Sequence, residues 1–176
     1  KKDFAAALTL LETAKLDPGP KVAFRVRALL AEYAAGPPAA RRDTVESALF
    51  GDLKWLRSSS LPETRAALIA AAGVVKEPGS NQEPDAWDLL AEGAVARGDA
   101  ARAGALERKG AARAEQLGRA AQADEYRLRA GAYFFQAGRF DEADPLLTRV
   151  AEDPKNRALR PRAALRRALS RGPALA

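Results

Sequence analysis

The chain has 176 residues, 47% of them hydrophobic and 30% charged, with a formal net charge of +6. That length holds one domain or a handful of stacked repeats and excludes a catalytic domain with a separate accessory domain. There is no Cys and no His, which removes disulfides, thiolate nucleophiles and zinc–thiolate sites, and with them the usual general base and commonest metal ligand.

Ala, Leu, Arg and Glu dominate, and aromatic residues make up only 6%. These residues lose little side-chain freedom in a helix, so the chain reads as all-α. The expected helices are 2–16, 21–35, 41–57, 62–75, 85–97, 99–119, 122–137, 140–152 and 156–170. In the first, Phe4, Ala7 and Leu11 share one stripe, and Asp17–Pro18 ends the element. In the second, Val26, Leu29, Leu30 and Tyr33 recur at helical spacing before Gly36. Ser58–Ser60 read as a helix-entry cluster, with Ser60 as N-cap of the helix at 62–75. Segment 76–84 (KEPGSNQEP) is a polar Pro/Gly loop and the expected hinge. Trp87, Leu90, Ala91 and Ala94 form the next stripe, closed by Gly98. Trp55 and Trp87 are both expected in core or inter-repeat packing.

Self-similarity runs through these elements. Phe4, Ala7, Leu10–Leu11 and Asp17–Pro18 align with Phe140, Ala143, Leu146–Leu147 and Asp153–Pro154. The stripe from Trp87 to Ala103 returns as Ala130, Gly131, Phe134, Gly138, Phe140 and Ala143, and Gly172 closes a further helix through Leu165 and Ala168. Small residues at Gly131 and Ala143 let helices approach, and Phe134 and Phe140 fill the space beside them. One hairpin of this kind cannot bury its own stripe, so neighbours must stack.

The order of these residues resembles the tetratricopeptide repeat (TPR). The match is fullest over 122–155, where Gly131, Phe134, Gly138, Phe140, Ala143, Leu147 and Pro154 hold the family positions. Residues 85–120 match in their first helix, 1–36 supply an incomplete first repeat, and 37–84 are irregular. The resemblance implies a right-handed α-solenoid of antiparallel helix pairs, with TPR-like segments at 1–36 and 85–176 and a truncated last repeat. Phe4, Ala7, Leu11, Trp87, Leu90, Gly131, Phe134, Gly138, Phe140, Ala143 and Leu147 would form its repeat core.

The resemblance also implies a concave groove lined by the first helix of each pair. Carried over by register, its places fall on Asp85, Asp88, Glu92, Val95 and Ala96, then on Glu125, Leu128, Ala132, Phe135 and Gln136, then on Arg162, Arg166 and Leu169. The central groove is then acidic, unlike a clamp for a C-terminal carboxylate, and suits a basic or mixed-charge peptide or helix. The last helix reverses the sign, since Lys155, Arg157, Arg160, Arg162, Arg166, Arg167 and Arg171 follow Asp153 with no acidic residue between. Tyr133, Phe134 and Phe135 are consecutive, so they cannot all face one core.

No catalytic constellation emerges. Acidic pairs such as Asp141–Glu142 sit where they oppose a helix dipole, glycines are dispersed at turns, and no calcium-loop spacing occurs. The expectation is a non-enzymatic interaction scaffold without cofactor or metal, working with a protein partner in a bacterial cytoplasm or cell envelope. Two alternatives stand beside it. One is nucleic acid or acidic lipid bound by the basic last helix, weakened for nucleic acid by the shortage of interleaved aromatics. The other is a regulatory segment of a longer enzyme. No run of about 18 apolar residues spans a membrane. The absence of Met, and helix pairs left open at both ends, suggest a piece of a longer chain, capped by flanking sequence or another subunit.

Overall fold

The computed structural model describes residues 3–171, and every regular element among them is an α-helix, nine in all. They divide into two compact units, with the boundary along the chain between Gln82 and Glu83. The expected segments 1–36 and 37–84 lie in the first unit, apart from the last two residues of the second. No described helix is long and apolar enough to cross a membrane.

The first unit holds α1 (Phe4–Thr13), α2 (Pro18–Ala34), α3 (Ala39–Ser59) and α4 (Glu63–Val74). Asp3 caps α1 by accepting the Ala6 N–H at 3.0 Å. Pro18 does not only end the preceding element: it opens α2, three residues before the expected start. Its fixed φ suits a first helical turn, where an N–H has no partner to lose. The core is the stripe Val26, Leu29 and Leu30 of α2 against Val45, Leu49, Leu53 and Leu56 of α3, with Ala71 and Ala72 from α4. Arg25 of α2 grips Asp52 of α3 with two donors, Nε at 2.6 Å from Oδ2.

Several expectations fail in this unit. α1 packs on α2 but buries no residue: Ala7 is exposed, and Phe4 and Leu11 are half-buried. Its apolar residues fill the circumference outside the arc of Thr9, Glu12 and Thr13, so periodicity alone could not say how much of them would be covered. Ser60 does not cap α4. It adopts a left-handed conformation at φ +51° and closes α3, donating its N–H to Arg57. Trp55 is not core: it lies 39% exposed. The boundary between the two units falls inside the segment 76–84, whose first part is held to α3: buried Glu46 accepts the Gly79 N–H at 2.8 Å and the Gln82 amide donates to Ser47 at 3.3 Å.

The second unit holds α5 (Asp85–Ala96), α6 (Ala100–Gln116), α7 (Ala120–Gln136), α8 (Phe140–Glu152) and α9 (Arg160–Arg171). Each packs against the next, and α7 also touches α9. The first three junctions are the same turn. Gly98, Gly118 and Gly138 take φ of +81°, +72° and +71°. At each junction the glycine N–H bonds back to Val95, Glu115 or Phe135, and the following N–H to Ala94, Ala114 or Phe134. This double closure satisfies carbonyls that a helix end leaves orphaned.

The main core gathers Leu128, Ala130, Phe134, Ala143, Leu147, Val150 and Ala163, with Phe135, Leu146 and Leu159 packed on it. Gly131 lets α7 and α8 meet: a Cβ there would come within 2.7 Å of Leu147. Trp87 and Leu90 are buried in α5. Phe140 is only half-buried, its ring tilted on Phe135 with centroids 5.5 Å apart. Buried Asp124 binds Arg127 at 2.6 Å and accepts the Asn156 amide, which pins the turn before α9. That turn delays α9 to Arg160, later than expected. Gly172, expected to close the last helix, lies outside the described residues.

Candidate functional site

α7 commits one face to the core through Tyr126, Leu128, Ala130, Gly131 and Phe134. Arg129, Ala132, Tyr133 and Gln136 recur at steps of three and four on another face. α9 turns Ala163 inward and fastens itself to α8, its Arg167 donating to Glu152 at 3.0 Å and pairing with Asp144 at 3.6 Å. The two helices leave a cleft of about 380 Å³ between them, lined by Arg129, Ala132, Tyr133, Phe135 and Gln136 of α7 and Arg166 and Leu169 of α9.

A buried ionic network stands behind the cleft. Glu107 of α6 is fully buried and its Oε1 accepts Arg129 Nε at 3.0 Å. Arg129 also reaches Asp88 of α5 at 3.4 Å and stacks over the Tyr126 ring at 4.6 Å. Glu107 Oε2 is buried with no donor among the described residues. Burial, and then the Asp88 charge, push the Glu107 carboxyl up to about 9, with Arg129 only partly opposing. A hydrogen bond with Asp88 adds to the shift and favours the protonated carboxyl, the form with a donor to offer. One step outward, the Tyr126 hydroxyl donates to Asp85 at 2.9 Å. Burial, then that bond, raise its pKa. Burial likewise raises Tyr133, with Glu107 and Asp88 adding to it.

Of the residues expected on a groove, Phe135, Gln136 and Arg166 come together in this cleft, with Ala132 and Leu169. The others do not join them. Leu128 is a correction: it is 5% exposed and belongs to the core, because α7 is covered on that side as well. Asp88 is held by Arg129, and Asp85 by Tyr126 and Gln122. Glu92 and Val95 are half-buried on α5, while Glu125 and Arg162 are exposed and line no part of the cleft. Of these acidic residues, Asp88 has its charge offset by an arginine two helices away. No protein-family model matches the chain, nor does any curated protein or solved structure.

Sequence reasoning overlooked Arg129 and Glu107. A signal existed for Glu107, which stands four residues after Ala103 and four before Ala111 on the buried stripe of α6. A charge at such a place must find a partner or hold a proton. Arg129 shares its stripe with Ala132, Tyr133 and Gln136, but nothing local tells that its partners come from α5 and α6.

Proposed function

We propose that the chain is a non-enzymatic scaffold, a right-handed solenoid of TPR-like helix pairs that receives a peptide or helix of a partner protein in the cleft between α7 and α9. The observation that carries this reading is the convergence of an aromatic ring, a carboxamide, two guanidiniums and an exposed leucine from neighbouring helices on one open cleft. Support for the repeat comes from the three equivalent turns at Gly98, Gly118 and Gly138, each followed by a helix that packs on its predecessor. A ligand there meets apolar surface and a few fixed polar groups, the usual composition of a recognition site.

The test is recovery of crosslinked partners by the full chain from its own cells. Leu169→Asp and Arg166→Glu change residues that face the cleft and not the core, so melting temperature and helix content should match wild type. Partner recovery should fall on the order of tenfold for either change, as for a central contact of an interface. Undiminished recovery by both variants rejects the cleft.

A further inference from the structure

The charge of the α7/α9 cleft is one-sided. Arg166 has no carboxylate partner among the described residues, whereas its neighbour Arg167 is paired to Asp144 and Glu152. α9 contains no acidic residue at all (RPRAALRRALSR). Across the cleft, Arg129 is held from behind by three groups: Nε on Glu107, Nη2 on Asp88, and its plane over Tyr126. A guanidinium carries five N–H donors, so this grip leaves some for the cleft and fixes where they point. Little ordering entropy remains to be lost when an acceptor arrives.

Beside the two arginines the lining is mainly apolar, with Gln136 and Tyr133 as its other polar side chains. Phe135 is half-buried against Phe140, Leu169 is 53% exposed, and Ala132 adds to the lining. A cleft of about 380 Å³ lies at the lower end of the range for ligand sites, room enough for one or two side chains of a docked segment. A lysine or arginine brought here would face two cations. A purely apolar side chain would strip water from both guanidiniums and offer nothing in return.

We propose that the cleft docks an acidic–apolar segment of the partner protein, one Asp or Glu carboxylate bridging Arg129 and Arg166 while an adjacent large apolar side chain packs on Phe135 and Leu169. This rests on the scaffold reading and adds the chemistry of what the scaffold holds. It also differs in sign from the partner that the sequence suggested, because Arg129 and Arg166 line this cleft and no carboxylate does.

The full chain is titrated, by fluorescence anisotropy, with labelled peptides of one length, acetylated and amidated at their ends. One carries a leucine flanked by glutamates, a second by glutamines, a third by lysines. The glutamate peptide should bind tightest, weaken with added salt, and lose on the order of tenfold in affinity with Arg166→Glu. The lysine peptide should bind that variant better than wild type. Equal binding of the glutamate and lysine peptides, or an Arg166→Glu variant that binds the glutamate peptide unchanged, overturns the proposal. Should no peptide bind while Leu169→Asp still lowers partner recovery, the acidic segment is wrong and the scaffold stands. Should recovery be indifferent to both cleft variants, the scaffold reading itself falls.

Discussion

Glu107 is the side chain whose acidity the fold changes most openly. In the unfolded chain its carboxyl titrates near 4.5, and in the folded chain near 9. Between those values the folded state keeps a proton that the unfolded state has released. Stability from this residue is complete below about pH 4.5 and drains away as pH rises towards 9. Glu107→Gln removes the titration while keeping a donor for Asp88 and an acceptor for Arg129. In urea unfolding at pH 5.5, 7 and 8.5, wild type should weaken steadily relative to this variant. The variant's lead should grow by on the order of 1 kcal/mol for each pH unit, the cost of holding a proton that the unfolded chain has released. A constant difference across the three values would show that Glu107 is not held protonated. Single residues of this kind were half legible in the sequence. The stripe position of Glu107 marks it as buried, yet its partners lie on α5 and α7, and no local pattern reports an ion pair made across three helices. Asp88 shows the same limit: its place on α5 could be read from register, but its partner Arg129 was not in view.

Elements were far more legible, because helix spans and helix stops are local chemistry. The nine expected spans each find a helix, and the displaced ends trace to single residues: Pro18 opening α2, Ser60 closing α3 in a left-handed turn, and Asn156 bound to Asp124 ahead of α9. Gly118 passed unnoticed within the span 99–119, although it makes the same turn as Gly98 and Gly138. Space is not what it protects, since nothing lies within 4 Å of where its Cβ would be. Its conformation is: at φ +72° an L side chain meets its own carbonyl. Gly118→Ala should therefore cost about 1 kcal/mol. Gly51 is the contrast, since it too has nothing within 4 Å of its would-be Cβ but lies inside α3 without a positive φ. Gly51→Ala should stabilise by about 0.5–1 kcal/mol, by lowering unfolded-state entropy and raising helix propensity. Thermal unfolding of the two variants checks the pair. If both shift the same way, neighbouring space and not backbone conformation governs these glycines.

At the scale of the molecule, burial is graded within each unit, and that gradient should govern which parts open first. In the first unit α1 buries nothing, while α3 buries Val45, Leu49, Leu53 and Leu56. In the second, α6 and α7 each bury seven or more residues, among them Ala103 and Phe134, while α9 turns inward chiefly through Ala163. Local opening costs roughly what the element buries. Amide hydrogen exchange should therefore run fastest in α1 within its unit, and faster in α9 than in α6 or α7 within the other. Equal protection of α1 and α3 would contradict this ordering. The gradient bears on recognition, because the less protected helix of the second unit carries Arg166 and Leu169, one wall of the cleft. A segment seated there adds contacts to α9 that the chain does not make by itself. Its binding free energy then appears as slower opening of that helix. With the glutamate-bearing peptide at saturation, exchange should slow most in α9 and in the last turns of α7, around Tyr133 and Gln136, and leave α6 almost unchanged. Protection spread evenly over the unit would mean that the ligand stabilises it as a whole from some other face.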